Sequence, residues 1–292
     1  MAPSGSPTVR RRRLAAELRR LRGNRTGGAV ARTVGWSATK ISRAESGRES
    51  LPPAEIERLI DYYGVAEPLR GRLLELAEDA TGRGWWEDYA DALSPEHLEF
   101  VGLEAEAESS LQWQADLVPG LLQTEDYVRN LQAAFRVVVP TTPPGVVERF
   151  VQARMRRQRR LTDEPVLGLS VVLDESVMLR RVGDEHVMRA QLLHLAQVSE
   201  LHNVDLRVLP LDREVALHTG SFVIMSFGPG LASGAESLGD VVSAESLNDQ
   251  LHVEGEIDTY RYRLFFQALS DAALPPGKSR DLIVTISKRV WA

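Results

Sequence analysis

The sequence predicts an α+β chain: an all-α bundle of about five short helices at the N-terminus, then a mixed domain with a small sheet flanked by helices. Three observations carry this. Apolar residues recur at helical spacing between caps and glycines up to about Ala80. Beyond Gly82 aromatic residues appear, and β-rich runs then alternate with helical ones. The charge is also uneven: residues 1–50 hold twelve Lys and Arg against three acids, a net +9, within a chain of net −6. The remaining 242 residues therefore carry −15.

Element by element, Leu14, Leu18 and Leu21 fall at i, i+4 and i+7, so Arg10 to about Arg22 reads as an amphipathic helix with a basic outer face. Residues 1–9, rich in small residues and proline, read as a disordered tail. Thr26 caps a second helix with Val30, Ala31 and Val34 on one side, and Gly35 ends it. Ser37 caps a third, Ala38 to about Ser46, closed by Gly47. Pro52-Pro53 opens a fourth with Ile56, Leu59, Ile60 and Tyr63 as its stripe, and Glu67 to about Ala80 makes a fifth. The helical head is thus 10–82 and the larger domain 83–292.

In the larger domain, Leu111–Ala115, Val166–Leu173, Val204–Leu209, Ser221–Phe227 and Val241–Ala244 read as strands. Thr124–Phe135, Val146–Leu161, Glu185–Leu201, Ile257–Ala273 and Lys278–Val290 read as helices. Of the adjacent Trp85 and Trp86, one is expected to anchor the junction between domains and the other to cover it.

Residues 26–47 carry the chemistry. Two short helices meeting at Gly35-Trp36 let the second enter a major groove while the first crosses the backbone. On the second, Ile41 and Ala44 face inward, whereas Ala38, Thr39, Ser42 and Arg43 share the outer face. Arg43 has the fork that pairs with guanine O6 and N7, and Ala38 and Thr39 suit a thymine methyl. Ser37 and Lys40 are placed for phosphates. Glu45 is expected to be structural, held by Arg22 or, with a shifted register, by Arg20.

Thr26, Ala31, Gly35, Ser37, Ile41, Ser42, Arg43, Glu45 and Gly47 resemble the Cro/repressor-type (XRE) helix-turn-helix. The resemblance implies that Thr26 and the third helix lie on double-stranded DNA. Gly27 and Gly28 depart from that pattern, and two first-turn glycines at ~1 kcal/mol each predict a frayed second helix.

A second set of strings covers the larger domain: Gly84-Trp-Trp-Glu-Asp-Tyr89, Gly102-Leu-Glu-Ala-Glu-Ala107, Val118-Pro-Gly-Leu-Leu-Gln-Thr-Glu-Asp-Tyr127, Arg154-Met-Arg-Arg-Gln158, Val172-Leu-Asp-Glu175, Val187-Met-Arg-Ala-Gln-Leu192 and Val208-Leu-Pro210. These resemble actinobacterial regulators in which an XRE-type head precedes a signature C-terminal domain. The resemblance implies an antitoxin-like regulator that binds a small acidic companion protein encoded nearby. Arg156, Arg159 and Arg160, at i, i+3 and i+4, then form the basic stripe that docks it. An alternative is a C-terminal domain that senses a small-molecule effector.

An enzyme with a DNA-binding head is the remaining class, and little supports it. The chain has no cysteine, hence no thiolate nucleophile or Cys-ligated metal. His97, His186, His194, His202, His218 and His252 show no paired metal spacing, and no phosphate-loop, dinucleotide or nucleophile-elbow string occurs, so no cofactor is expected. Asp174-Glu175 reads either as an acid pair or as a helix cap. Without a spanning apolar run or a signal peptide, the chain is expected to be cytoplasmic. One short head buries too little surface for tight specific binding, which predicts a homodimer or partner assistance.

Overall fold

A computed structural model describes residues 7–47, 51–135, 142–214, 219–228, 239–245, 250–253 and 255–292. Residues 1–6 of the expected tail and His218 lie outside them. The described residues divide into two compact units, the first running to Asp88 and taking in Val101–Glu106, the second made of Tyr89–Phe100 and the rest.

The first unit is the helical bundle. Its helices are α1 (Pro7–Arg22), α2 (Gly27–Val34), α3 (Ala38–Glu45), α4 (Pro53–Tyr63) and α5 (Leu69–Ala80). One apolar cluster joins them through Leu14, Leu18, Val30, Val34, Ile41, Ala44, Ile56, Leu59, Ile60, Leu73 and Ala77. Tyr63, expected in the buried stripe, is half-buried.

Helix α1 corrects the expected start at Arg10. It begins at Pro7, and Val9 and Arg10 are buried. Extending the helix turns the first arginines inward, so its outer face is not uniformly basic. The Arg10 guanidinium pairs with Asp79 at 3.3 Å, and Arg11 Nε donates to the Ala80 carbonyl at 3.0 Å. Both cations lie at the C-terminal end of α5, where unsatisfied carbonyls favour positive charge.

Helix α2 carries its two glycines in a formed first turn. It starts at Gly27, directly after its cap, because Thr26 Oγ1 accepts from Ala29 N and Gly35 closes the other end at φ 71°. Burial of Val30, Ala31 and Val34 offsets the weak helix propensity of the two glycines.

The second unit is built on a six-stranded sheet of order β3-β2-β1-β4-β5-β6. The strands are β1 (Ser109–Gln114), β2 (Gly168–Asp174), β3 (Val204–Leu209), β4 (Phe222–Ser226), β5 (Asp240–Glu245) and β6 (Gln250–Val253). Strands β1, β2 and β3 run parallel through helical crossovers, and β4, β5 and β6 extend the sheet antiparallel from β1.

Around the sheet lie α7 (Glu125–Phe135), α8 (Pro144–Arg157), α9 (Glu175–Leu179), α10 (Glu185–Val198), α11 (Glu256–Ala272) and α12 (Pro276–Arg289), while α6 (Pro95–Glu104) is divided between the units after Phe100. Phe266 and Leu269 of α11 close one apolar cluster with Trp113, Val172, Leu209, Phe222, Ile224 and Val242. Helices α10 and α12 pack together, and α12 is tied to β3 where Val208 N donates to Ser279 Oγ at 2.9 Å. The Val118–Tyr127 string is structural. Buried Gln191 on α10 accepts from Thr124 N and donates to the Leu122 carbonyl, both at 2.7 Å, which fixes the turn at the start of α7.

Candidate nucleic-acid interface

Helix α3 is the element that the sequence predicts to carry the DNA-contacting residues. Ser37 Oγ accepts from Lys40 N at 3.1 Å, satisfying one of the amides its first turn leaves open. Ile41 and Ala44 sink into the core. The helix is thereby held by one side, and Ala38, Thr39, Ser42 and Arg43 stand exposed on the other. Gly47 closes the helix at φ 69°, in the left-handed region that favours glycine. The α1 backbone at Arg12 approaches within 3.5 Å of where its Cβ would be.

Glu45 lies inward. Its carboxylate takes Arg22 Nε at 2.8 and 2.9 Å, and the Arg22 fork also donates to the Arg25 carbonyl at 2.6 Å. This joins the end of α3 to the end of α1. Arg20 has a different partner, Glu17 on its own helix at 2.7 Å. Beside the pair, burial pushes the Tyr63 phenol up to about 12, with the Glu45 carboxylate adding to the shift.

Lys40 is less simple than its position implies. Its Nζ bonds Glu55 of α4 at 2.7 Å and sits 4.5 Å above the Trp36 ring. The ammonium is aimed by the aromatic face and partly neutralised by the carboxylate. The Glu55 partner is hidden in the sequence, because it is fifteen residues away on another helix. Ser37 and Thr26 are both exposed, and each hydroxyl already caps its helix.

In the second unit, the proposed stripe of Arg156, Arg159 and Arg160 is not preserved. Helix α8 ends at Arg157 and Gln158–Leu161 is a 3₁₀ turn, which changes the angular step between residues. Arg156 and Arg159 are exposed, the latter paired with Asp163 at 2.9 Å. Arg160 instead donates to the carbonyls of Pro165 and, at 2.8 Å, Ala107. Through these two bonds it braces backbone. Asp174 caps α9 through Ser176 N at 2.9 Å, and Glu175 accepts from Leu211 N at 2.9 Å, so both acids hold structural bonds.

Residues 98–285 match the family model described as "Domain of unknown function (DUF5753)". The chain belongs to the DUF5753 family. In this DUF5753 protein the head, residues 13–73, matches a helix-turn-helix domain model, which supports a DNA-binding regulator. No curated protein and no solved structure matches the chain. No helix among the described residues is long and apolar enough to cross a membrane.

Proposed function

We propose that the chain is a sequence-specific transcriptional regulator that reads a DNA major groove with α3. The observation that carries this is the exposed face of Ala38, Thr39, Ser42 and Arg43 on a helix capped at one end and clamped at the other by Arg22 and Glu45. A rigid helix with a guanidinium and small side chains outward is what base-edge readout needs. Residues 10–82 hold fifteen Lys and Arg against ten acids, and that net +5 supplies attraction for the phosphates. Selection of random duplexes by the full chain tests it. Enrichment of a defined motif supports the reading, and recovery of unenriched pools at every salt concentration overturns it.

The second unit is read as the partner-binding half. What favours a small acidic protein is the pair of exposed guanidiniums, Arg156 and Arg159, on an otherwise acidic body.

A further inference from the structure

Helix α11 has two unlike sides. One buries Thr259, Phe266 and Leu269 against the sheet. The other exposes Ile257, Tyr260 and Leu264 at 71, 59 and 53%. Their i, i+3, i+7 spacing lines them up along two turns of one face, and exposed Arg261 lies beside them. Single exposed apolar side chains are ordinary, whereas three in register make a patch.

We propose that this face pairs two copies of the chain through an antiparallel α11–α11 contact, with a two-fold axis between Tyr260 and Arg261. The spacing is self-complementary about that point. Ile257 and Leu264 are equidistant from it, so each Ile257 meets the second copy's Leu264, as an isologous contact requires. The same axis brings each Arg261 guanidinium to the second copy's Tyr260 ring, a cation–π pairing. Arg261 also bonds Asp258 at 3.1 Å, and both side chains are well exposed, so the guanidinium can turn.

The choice of a second copy rests on the DNA-binding reading. Helix-turn-helix heads bind in pairs on half-sites about 34 Å apart. A stripe this short falls below the roughly 800 Å² per partner of a standard interface, so the pair is a weak one. Weak pairing suffices on DNA, where the second head binds at high effective concentration.

Sedimentation equilibrium of the full chain without DNA tests the proposal across the micromolar range. The wild type is expected to shift from monomer to dimer. Leu264→Glu raises the dissociation constant about tenfold or more, and Tyr260→Ala weakens pairing with no charge introduced. Both replace exposed side chains, so circular dichroism and a single half-site duplex should report unchanged folding and head binding. A wild type that stays monomeric throughout overturns the proposal, whatever other protein the stripe captures. So does a folded Leu264→Glu chain that associates as before. Loss of duplex binding by a chain that still dimerises counts against the DNA-binding reading and leaves this one standing.

Discussion

Arg22 Nε lies 2.8 Å from one carboxylate oxygen of Glu45 and 2.9 Å from the other, so the end of α3 is bolted to the end of α1. Glu45 is 10% exposed and Arg22 22%. Removing one partner strands the other's charge in a half-buried site. Glu45→Ala is expected to cost about 2–3 kcal/mol, below the 3–5 of a fully buried pair because water still reaches Arg22. Arg22→Ala with Glu45→Ala should cost less than the two changes summed. Urea unfolding of the three variants checks both statements, and strict additivity would remove the coupling.

Arg43→Ala should relax specificity at one base position, by about 1–3 kcal/mol if the contact is bidentate to guanine. Selected motifs from wild type and variant are compared base by base. An unchanged motif shows that Arg43 reads nothing.

Lys40 and Glu55 make a prediction of opposite signs. Lys40→Ala should weaken all sequences alike and lower the salt slope by about 0.9, the loss of one phosphate contact. Glu55→Gln removes the carboxylate that holds Nζ at 2.7 Å and should strengthen binding to all sequences. Fluorescence anisotropy over a salt series reads both. Weaker binding by Glu55→Gln would mean that Glu55 aims Lys40 more than it neutralises it.

Glu106, in the first unit, gives a pH dependence. Burial raises its carboxyl to about 7, against the pull of Arg13 and Arg10. A carboxyl raised in the folded state adds stability that is complete below its unfolded value of about 4.3 and is lost as pH climbs through the folded value. The urea midpoint should therefore fall between about pH 5 and pH 8, and Glu106→Gln should flatten that fall. A slope unaffected by the substitution assigns the pH dependence to another group.

What the sequence made legible is local. Thr26, Ser37, Gly35 and Gly47 bracket α2 and α3 within a few residues of where the hydrogen bonds place them, since caps act over three or four residues. The Asp174 cap is legible for the same reason. What stayed hidden depends on distance. Arg10 reads as part of a solvated charge run until the Asp79 carboxylate, sixty-nine residues on, turns it inward. Helix α9 and strand β6 are short, and α6 lacks a clear apolar period. Arg159 and Arg160 leave the stripe that an α-helical step from Arg156 predicts, because the chain tightens to 3₁₀ at Gln158.

That tightening separates the three arginines into two kinds, and this sharpens the test of a companion protein. Arg160 grips the Pro165 and Ala107 carbonyls, next to the start of β1, so Arg160→Ala should lower thermal stability whatever binds outside. Arg156 and Arg159 are exposed, and the Arg159–Asp163 pair, at 70 and 55% exposure, contributes little to stability. Reversing both to Glu should leave folding and duplex binding intact while repelling an acidic surface, and rim charges of this kind act mainly on the association rate. Co-purification from the native host, compared between wild type, Arg160→Ala and the Arg156→Glu, Arg159→Glu double variant, separates the roles. A small acidic protein lost in the double variant and kept in Arg160→Ala places the dock on these two residues. Equal recovery in all three moves it elsewhere on the second unit.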